Sequence, residues 1–199
     1  MFNALPKRIN SFALPISERL ALTDVPTGRQ AHYRTNLLLD LSPGVDELTA
    51  GYASGLRRKL RKHGPAHLES ATVEEVMDVY QHVVGPKVGL RKKHFTRGRA
   101  LMNAALDNNA GLCVKLTDDD GTLLATNFLP HYGGRLINLL PASTPAGYRR
   151  EGMARLLHGI ITAHAGEDGL LDFEGSDVPG IATFFRQFGP VERPYLSVE

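Results

Sequence analysis

Two adjacent arginines precede a glycine at a predicted helix start. They are Arg149 and Arg150, followed by Gly152, Met153 and Ala154. The first turn of a helix has amide N–H groups without intrahelical acceptors and carries the positive end of the helix dipole. A glycine there obstructs no ligand, and a small alanine permits close approach. These residue types suit a pyrophosphate, although an ordinary tight loop with a glycine near a helix start fits them as well.

Two carboxylates follow farther along the chain. Asp172 and Glu174 alternate around Phe173 in a predicted strand, so both side chains should point to one side. One of them could accept the proton of an attacking amine. A structural role, capping the next helix or pairing with an arginine, is the competing interpretation.

The cysteine and histidine content argues against metal chemistry. The single cysteine, Cys113, lies in an apolar run and excludes both an internal disulfide and a zinc site built on paired cysteines. It is expected to be a small buried strand residue. The eight histidines show no metal-binding spacing, so no metal is expected.

Positive charge is concentrated locally, although the net charge is only +2. One basic cluster runs from Arg57 to Lys62, and another comprises Arg91, Lys92 and Lys93 with Arg97 and Arg99. Such clusters are usually solvated helix faces. The alternative is a docking surface for the phosphates of a nucleotide cofactor or an RNA.

Hydrophobic periodicity indicates which elements position these residues. It predicts an α/β layered domain with a mixed sheet and a parallel crossover around the helix that follows the arginines. Predicted strands cover residues 8–16, 33–41, 66–71, 112–116, 122–130, 135–140, 169–173 and 193–198. Predicted helices run from Ser42 as cap to Lys62, from the capping box at Thr72 to Gly85, and over 93–108, 149–165 and 179–187.

The helix-start sequence resembles the GNAT acyltransferase superfamily. Arg149-x-x-Gly152-x-Ala154 fits that superfamily's pattern of Arg or Gln, two residues, Gly, one residue, and Gly or Ala. It also has the expected position after an antiparallel meander. The resemblance implies a mixed, mostly antiparallel sheet flanked by helices, and a donor pyrophosphate held by Arg149, Gly152, Met153 and Ala154, with Arg150 as a supporting cation.

A second likeness is to Fem-type peptidoglycan aminoacyltransferases. It rests on the segments 171–176 and 184–189, with support from the basic run 57–62 and from residues 34–42. By this resemblance Arg186 would stabilise the donor or the developing oxyanion. Fem-type proteins have two GNAT-like domains, so residues 1–40 are interpreted as a remnant of the first and 41–199 as the second.

These resemblances imply an acyltransferase acting on a small-molecule or peptide amine. The donor would be acetyl-coenzyme A or another acyl-coenzyme A, with aminoacyl-tRNA as the alternative. A non-catalytic GNAT-like binding domain is the competing hypothesis, because residues 179–188 lack the tyrosine that many GNAT enzymes use as acid. Tyr148 and Tyr195 are the nearest substitutes. We expect a cytoplasmic protein without membrane insertion, and a homodimer is conceivable if residues 1–40 expose a sheet edge.

Overall fold

A computed structural model of the chain describes residues 31–174 and 179–198. Its strands are β1 (Ala31–Asp40), β2 (Ala66–Ser70), β3 (Gly111–Asp118), β4 (Leu123–Tyr132), β5 (Arg135–Ile137), β6 (Ala142–Ser143), β7 (Leu170–Asp172) and β8 (Val191–Val198). Its helices are α1 (Val45–Ala50), α2 (Ser54–Lys62), α3 (Val73–Val83), α4 (Gly85–Val88), α5 (Lys92–Asp107), α6 (Pro145–Arg149), α7 (Gly152–His164) and α8 (Pro179–Arg186). The strand predicted over 8–16 lies outside the described residues.

The described strands form one mixed sheet in the order β2-β3-β4-β5-β7-β1-β8, with β6 paired to β4. Neighbours run antiparallel except β5 and β7, which pair in parallel with Leu136 opposite Leu171. The helical segment α6–α7 connects β6 to β7, so the predicted parallel crossover is confirmed. The predicted layered α/β architecture with a mostly antiparallel sheet is confirmed as well.

Apolar side chains cover both faces of the sheet. One cluster joins the sheet to α1, α2, α7 and α8, and its fully buried members include Leu56, Leu156 and Phe188. The other joins β3 and β4 to α3 and α5 around Met102 and Phe128. Removing these side chains from water is the main driving force for the layering.

The first predicted helix is interrupted, which corrects its predicted extent. The chain leaves α1 at Gly51 and re-enters a helix only at Ser54. In the break, the Ala53 N–H donates to the carbonyl of Gln187 at 2.8 Å. Tyr52 is only 2% exposed and packs edge-on against Phe188. The break therefore docks this loop on the end of α8.

The predicted cap of that helix is also wrong. Gly44 occupies the N-cap position and provides no side-chain bond. The amide of Ser42 instead donates to the Asp40 carboxylate at 2.9 Å, which holds Ser42 in the preceding turn. In contrast, the capping box at α3 is confirmed. Thr72 Oγ1 accepts from the Glu75 N–H at 3.1 Å, and Glu75 Oε2 accepts from the Thr72 N–H at 2.7 Å.

Strand β1 lies inside the sheet, between β7 and β8. The proposed division at residue 40 thus assigns to the first segment a strand that completes the sheet of the second. Because residues 1–30 lie outside the described part, the division into remnant and domain stays a prediction. Within the described ranges, no helix has both the length and the apolar character needed to cross a bilayer.

Candidate functional site

The sheet divides after Asn138, and this division creates the site. The Asn138 N–H still donates to the Asp172 carbonyl of β7 at 2.8 Å. The next amides, of Leu139 and Leu140, donate instead to Phe128 of β4 at 3.3 and 3.4 Å. Strand β6 then continues along β4, whereas the chain after β7 follows β1. A gap therefore opens between residues 139–143 and the end of β7.

Buried polar atoms lie at this divergence. The Asn127 side-chain amide donates to Asn138 Oδ1 at 2.8 Å. Asn127 Oδ1, Asn138 Nδ2 and the Thr126 hydroxyl are buried and have no partner among the residues described. A buried polar group without a partner costs about 1–3 kcal/mol. Polar atoms without hydrogen-bond partners are thus concentrated at the point where the two halves of the sheet separate.

The predicted helix over 149–165 begins at Gly152, so its predicted start is wrong, and a separate short helix, α6, ends at Arg149. Helix α6 is capped by Thr144, whose hydroxyl accepts from the Gly147 N–H at 3.0 Å. Glu151 adopts a left-handed conformation with φ 54°, which reverses the chain, and α7 begins at Gly152. The Arg155 N–H donates to the Glu151 carbonyl. The three preceding amides, from Gly152 to Ala154, have no acceptor in the described part of the chain.

The structure gives Gly152 a different reason for being glycine than ligand access. A Cβ atom on Gly152 would lie 2.8 Å from the Gly147 Cα and 3.0 Å from the Leu124 carbonyl oxygen. A Cβ on Gly147 would lie 1.8 Å from the same oxygen. Both glycines let the α6–α7 turn rest directly on the backbone of β4. The turn is therefore rigidly placed relative to the divergence of the sheet.

The other predicted donor-binding residues differ in their surroundings. Arg149 is exposed and makes no ion pair with a described residue. Arg150 forms an ion pair with the buried Asp118 carboxylate. Met153 is half-buried against the main core, and Ala154 is 2% exposed. Arg149 is consequently the arginine whose charge is available at this turn, while Arg150 is already engaged.

The predicted carboxylate pair is brought together at the end of β7. Asp172 is 6% exposed, accepts the Glu174 N–H at 2.8 Å and faces Arg135 Nη1 at 3.4 Å. The arginine pairing considered as its structural alternative is thus present. Strand β7 ends at Asp172 and Glu174 has φ 54°, so simple strand alternation does not extend to Glu174. Desolvation, followed by the Asp172 charge, raises the pKa of Glu174.

Tyr80 on α3 lies close enough to Glu174 for its phenol to respond to that charge, and the sequence did not identify it as a functional residue. The sequence pattern assigned it to the apolar stripe of its helix, and it is half-buried there beside the second core cluster. Desolvation, followed by the negative charge of Glu174, raises the pKa of its phenol. Its only sequence signal was a hydroxyl at the edge of an amphipathic helix, which does not identify a partner more than ninety residues away.

Arg186 is not brought to the carboxylates by any contact among the described residues. It lies exposed in the last turn of α8, where Nε donates to Glu192 Oε1 at 2.6 Å. Tyr148 is exposed and accepts a hydrogen bond from Lys87 Nζ at 3.1 Å. Tyr195 lies half-buried in β8. Roles for these three residues stay predictions. No cluster of three metal-binding side chains occurs among the residues described.

The layered fold, with a sheet that divides ahead of a helix N-terminus, is that of an acyltransferase domain. A family model described as "Acetyltransferase (GNAT) domain" matches residues 52–179. The chain belongs to this GNAT family. A comparison with curated proteins gave no match.

Solved structures confirm the fold at low sequence identity. The chain superposes on the crystal structure of FemX with a TM-score of 0.67 and 12% identity, covering 82% of this chain and 61% of FemX. It matches the C-terminal domain of a putative lysylphosphatidylglycerol synthetase from Agrobacterium fabrum with a TM-score of 0.54 and 16% identity, covering 86% and 61%. The chain thus spans less than two thirds of each of these neighbours. The predicted Fem-like GNAT fold is confirmed.

Proposed function

We propose that this chain is an N-acyltransferase that moves an acyl group from an acyl-coenzyme A, such as acetyl-coenzyme A, to an amine on a small molecule or peptide. The observation that carries the proposal is the opening of the sheet after Asn138 beside the uncapped amides of α7. Membership of the GNAT family supports the same reaction class. We further propose that the protein is cytoplasmic and needs no metal.

Donor binding would use the turn before α7. The free N–H groups of Gly152, Met153 and Ala154 would donate hydrogen bonds to the pyrophosphate oxygens, and the unpaired charge of Arg149 would add a second contact. Arg150 would support the turn through Asp118. The pantetheine arm would lie in the gap between residues 139–143 and the end of β7.

Glu174 and Tyr80 supply the acid–base groups in this proposal. The bound donor provides a thioester carbonyl. As the amine nitrogen forms a bond to that carbon, Glu174 accepts the amine proton, and a raised pKa makes this carboxylate a stronger base. As the carbon–sulfur bond breaks, Tyr80 gives its proton to the departing sulfur. The raised pKa of Tyr80 keeps the phenol protonated at neutral pH.

Asp172 acts in this scheme as a positioning residue for Glu174. Its carboxylate accepts the Glu174 N–H at 2.8 Å, which holds the turn that presents Glu174. Arg186 would act on the donor only if its bond to Glu192 is released. Orientation of donor and acceptor, rather than covalent catalysis by the protein, would supply most of the rate.

Aminoacyl-tRNA is the second candidate donor, and the exposed charges of α2 favour it. Arg57, Arg58, Lys59, Arg61 and Lys62 all lie on the solvent side of that helix. A tRNA would contact many phosphates, so its binding should weaken steeply with salt, while coenzyme A binding should weaken far less. Direct titration of both ligands at two salt concentrations separates the two donors. A non-catalytic binding domain would bind a donor without transfer.

The test combines ligand protection with transfer. We expect coenzyme A to raise the midpoint of thermal unfolding of the wild-type chain, and Arg149→Glu to reduce this increase. Arg97→Glu, the same charge change at another exposed arginine, is the control. Transfer of labelled acetyl to an amine library should be lost in Glu174→Gln. If neither coenzyme A nor aminoacyl-tRNA binds the wild-type chain, the proposal is refuted. Binding without transfer would instead support the hypothesis of a non-catalytic binding domain.

A further inference from the structure

Two joined cavities lie on the sheet face covered by α2 and α7, away from Glu174 and Tyr80. The larger, of about 510 Å³, runs between α2, β2 and α7, and the smaller, of about 250 Å³, adjoins the β3–β4 turn. They meet at His63, Gly64, Pro65 and Arg155, which line both. A volume of this size is in the range of small-molecule sites.

Arg155 is a buried cation without an ionic partner at this junction. It is 7% exposed, and its Nη2 donates to the carbonyls of Gly64 and Pro65 at 2.5 and 2.9 Å. No carboxylate of the described residues lies within ion-pair distance of it. Burying an unpaired charge is costly, and guanidinium groups in proteins are normally matched by an anion. Two neutral carbonyls accept its hydrogen bonds, and the charge of Asp119 acts on it only from beyond ion-pair distance.

His63 adds a second unsatisfied group beside Arg155. Its Nε2 is fully buried and has no hydrogen-bond partner in the described part of the chain. Burial first, and then the charges of Arg155, Lys62 and Arg150 against that of Glu151, lower the pKa of His63. Burial and the neighbouring positive charges both disfavour the charged imidazole, and an anion between His63 and Arg155 would relieve both groups.

The nearby acidic side chains do not provide that anion, because they are engaged elsewhere. Asp118 pairs with Arg150 and accepts the amides of Asp120 and Thr122. Asp119 Oδ1 bonds to His67 Nε2 at 2.9 Å. The charge of Arg155 thus faces the cavities, not a neighbouring carboxylate.

The larger cavity continues from these polar groups along an apolar wall. Leu60, Ala66, Leu68 and Leu116 line it, with Gly159 of α7 opposite Leu68. A ligand that fills it must place an anionic group at one end and an apolar body along the rest, because burying apolar area contributes about 25 cal/mol per Å².

We propose that this cavity binds a small organic acid whose oxyanion, a carboxylate or a phosphate, contacts Arg155 and His63 and whose apolar body lies along α2, β2 and α7. The site is separate from Glu174 and Tyr80 and does not depend on the acyltransferase proposal, although Arg150 of the proposed donor turn lines its smaller cavity.

The first experiment titrates the full chain with hexanoate, monohexyl phosphate and hexanol, following the His63 ring resonances by NMR, assigned with a His63→Gln variant. We expect saturable shifts with an acid and a raised His63 pKa, because the bound negative charge offsets Arg155, Lys62 and Arg150. The acid that binds more tightly shows whether the site prefers a carboxylate or a phosphate. Failure of both acids, or hexanol shifting His63 as strongly as the acids, would overturn the proposal.

The second experiment fills the cavity without touching its charges. A Cβ on Gly159 would meet only Leu68 side-chain atoms at 3.5–3.8 Å, so Gly159→Met should fold and project into the cavity. We expect it to weaken binding of the acid at least about tenfold, which is ~1.4 kcal/mol. Gly55→Met, on α2 with nothing within 4 Å of the added Cβ, is the matched control. Unchanged binding in Gly159→Met, or an equal loss in Gly55→Met, would contradict the site.

Discussion

Two glycines on one helix should respond in opposite directions to the same substitution. Gly152 and Gly159 both lie in α7, two turns apart. The Cβ of Gly152→Ala would meet backbone atoms, the Gly147 Cα at 2.8 Å and the Leu124 carbonyl oxygen at 3.0 Å. The Cβ of Gly159→Ala would meet Leu68 side-chain atoms at ordinary contact distance. The first change crowds β4, and the second does not.

The expected magnitudes follow from these surroundings. Alanine in a helix interior is favoured over glycine by roughly 0.5–1 kcal/mol, so Gly159→Ala should raise the free energy of unfolding by about that amount. Overpacking against an unyielding neighbour costs roughly 1–3 kcal/mol, and Gly152 at the first helical position gains little from helix propensity. Gly152→Ala should therefore lower the free energy of unfolding by about 1–3 kcal/mol.

Urea unfolding followed by circular dichroism measures both changes. The slope of the transition should stay constant, so the midpoints report stability directly. A Gly152→Ala protein as stable as the wild type would show that the α6–α7 turn can retreat from β4, and the argument that its glycines fix the turn would fail. A destabilised Gly159→Ala would refute the conclusion that an added Cβ makes only ordinary contacts there.

Three further predictions concern α3 and the acid–base groups. The hydrogen bond from Lys115 Nζ at 2.7 Å, with those from Thr72, lowers the pKa of Glu75 from 4.5 to about 2. The contribution of Glu75 to stability is therefore present above pH 4.5 and lost as the pH falls toward 2. Glu75→Gln should flatten the acid limb of the stability curve, and an unchanged limb would contradict this assignment. Thr72→Ala should lower the free energy of unfolding by ~0.5–2 kcal/mol, because the capping hydrogen bond is lost. Ser54→Ala, at a helix start without such a bond, is the control and should change the Tm less. The rate of transfer should fall as the pH drops through the pKa of Glu174, which is raised above 4.5. Tyr80→Phe should reduce kcat without shifting the pH at which this fall occurs. An unchanged kcat would remove Tyr80 from the mechanism.

The layered fold could be predicted because its signals are local and consistent. The short apolar runs of β3 and β4, the glycine-containing turns between strands and the Thr72 capping box each specify their own element. The buried thiol of Cys113 follows the same pattern, 5% exposed in β3 with burial raising its pKa to about 11.

The departures arise where tertiary contacts override local preference. The break at Gly51–Ala53 exists because Ala53 bonds to Gln187, a residue whose proximity no local pattern encodes. The late start of α7 depends on the left-handed Glu151 and on two glycines pressed against Leu124. The effect of the Glu174 charge on Tyr80 depends on how α3 packs on the sheet. The motif spacing indicated the turn proposed to bind the donor. It could not show which residues distant in sequence pack against that turn.

The position of β1 affects how the chain can acquire its structure. Residues 38–40 pair with 170–172, and residues 31–38 pair with 191–198, so this half of the sheet is assembled from opposite ends of the described chain. Closing such distant pairings carries a large entropic cost and slows folding. During synthesis the backbone groups of β1 would stay unpaired until β7 and β8 leave the ribosome. The local hairpin of β3 and β4 can already form at that stage. We therefore expect chaperones to be needed for the half of the sheet formed by β7, β1 and β8, and not for the meander of β3 and β4.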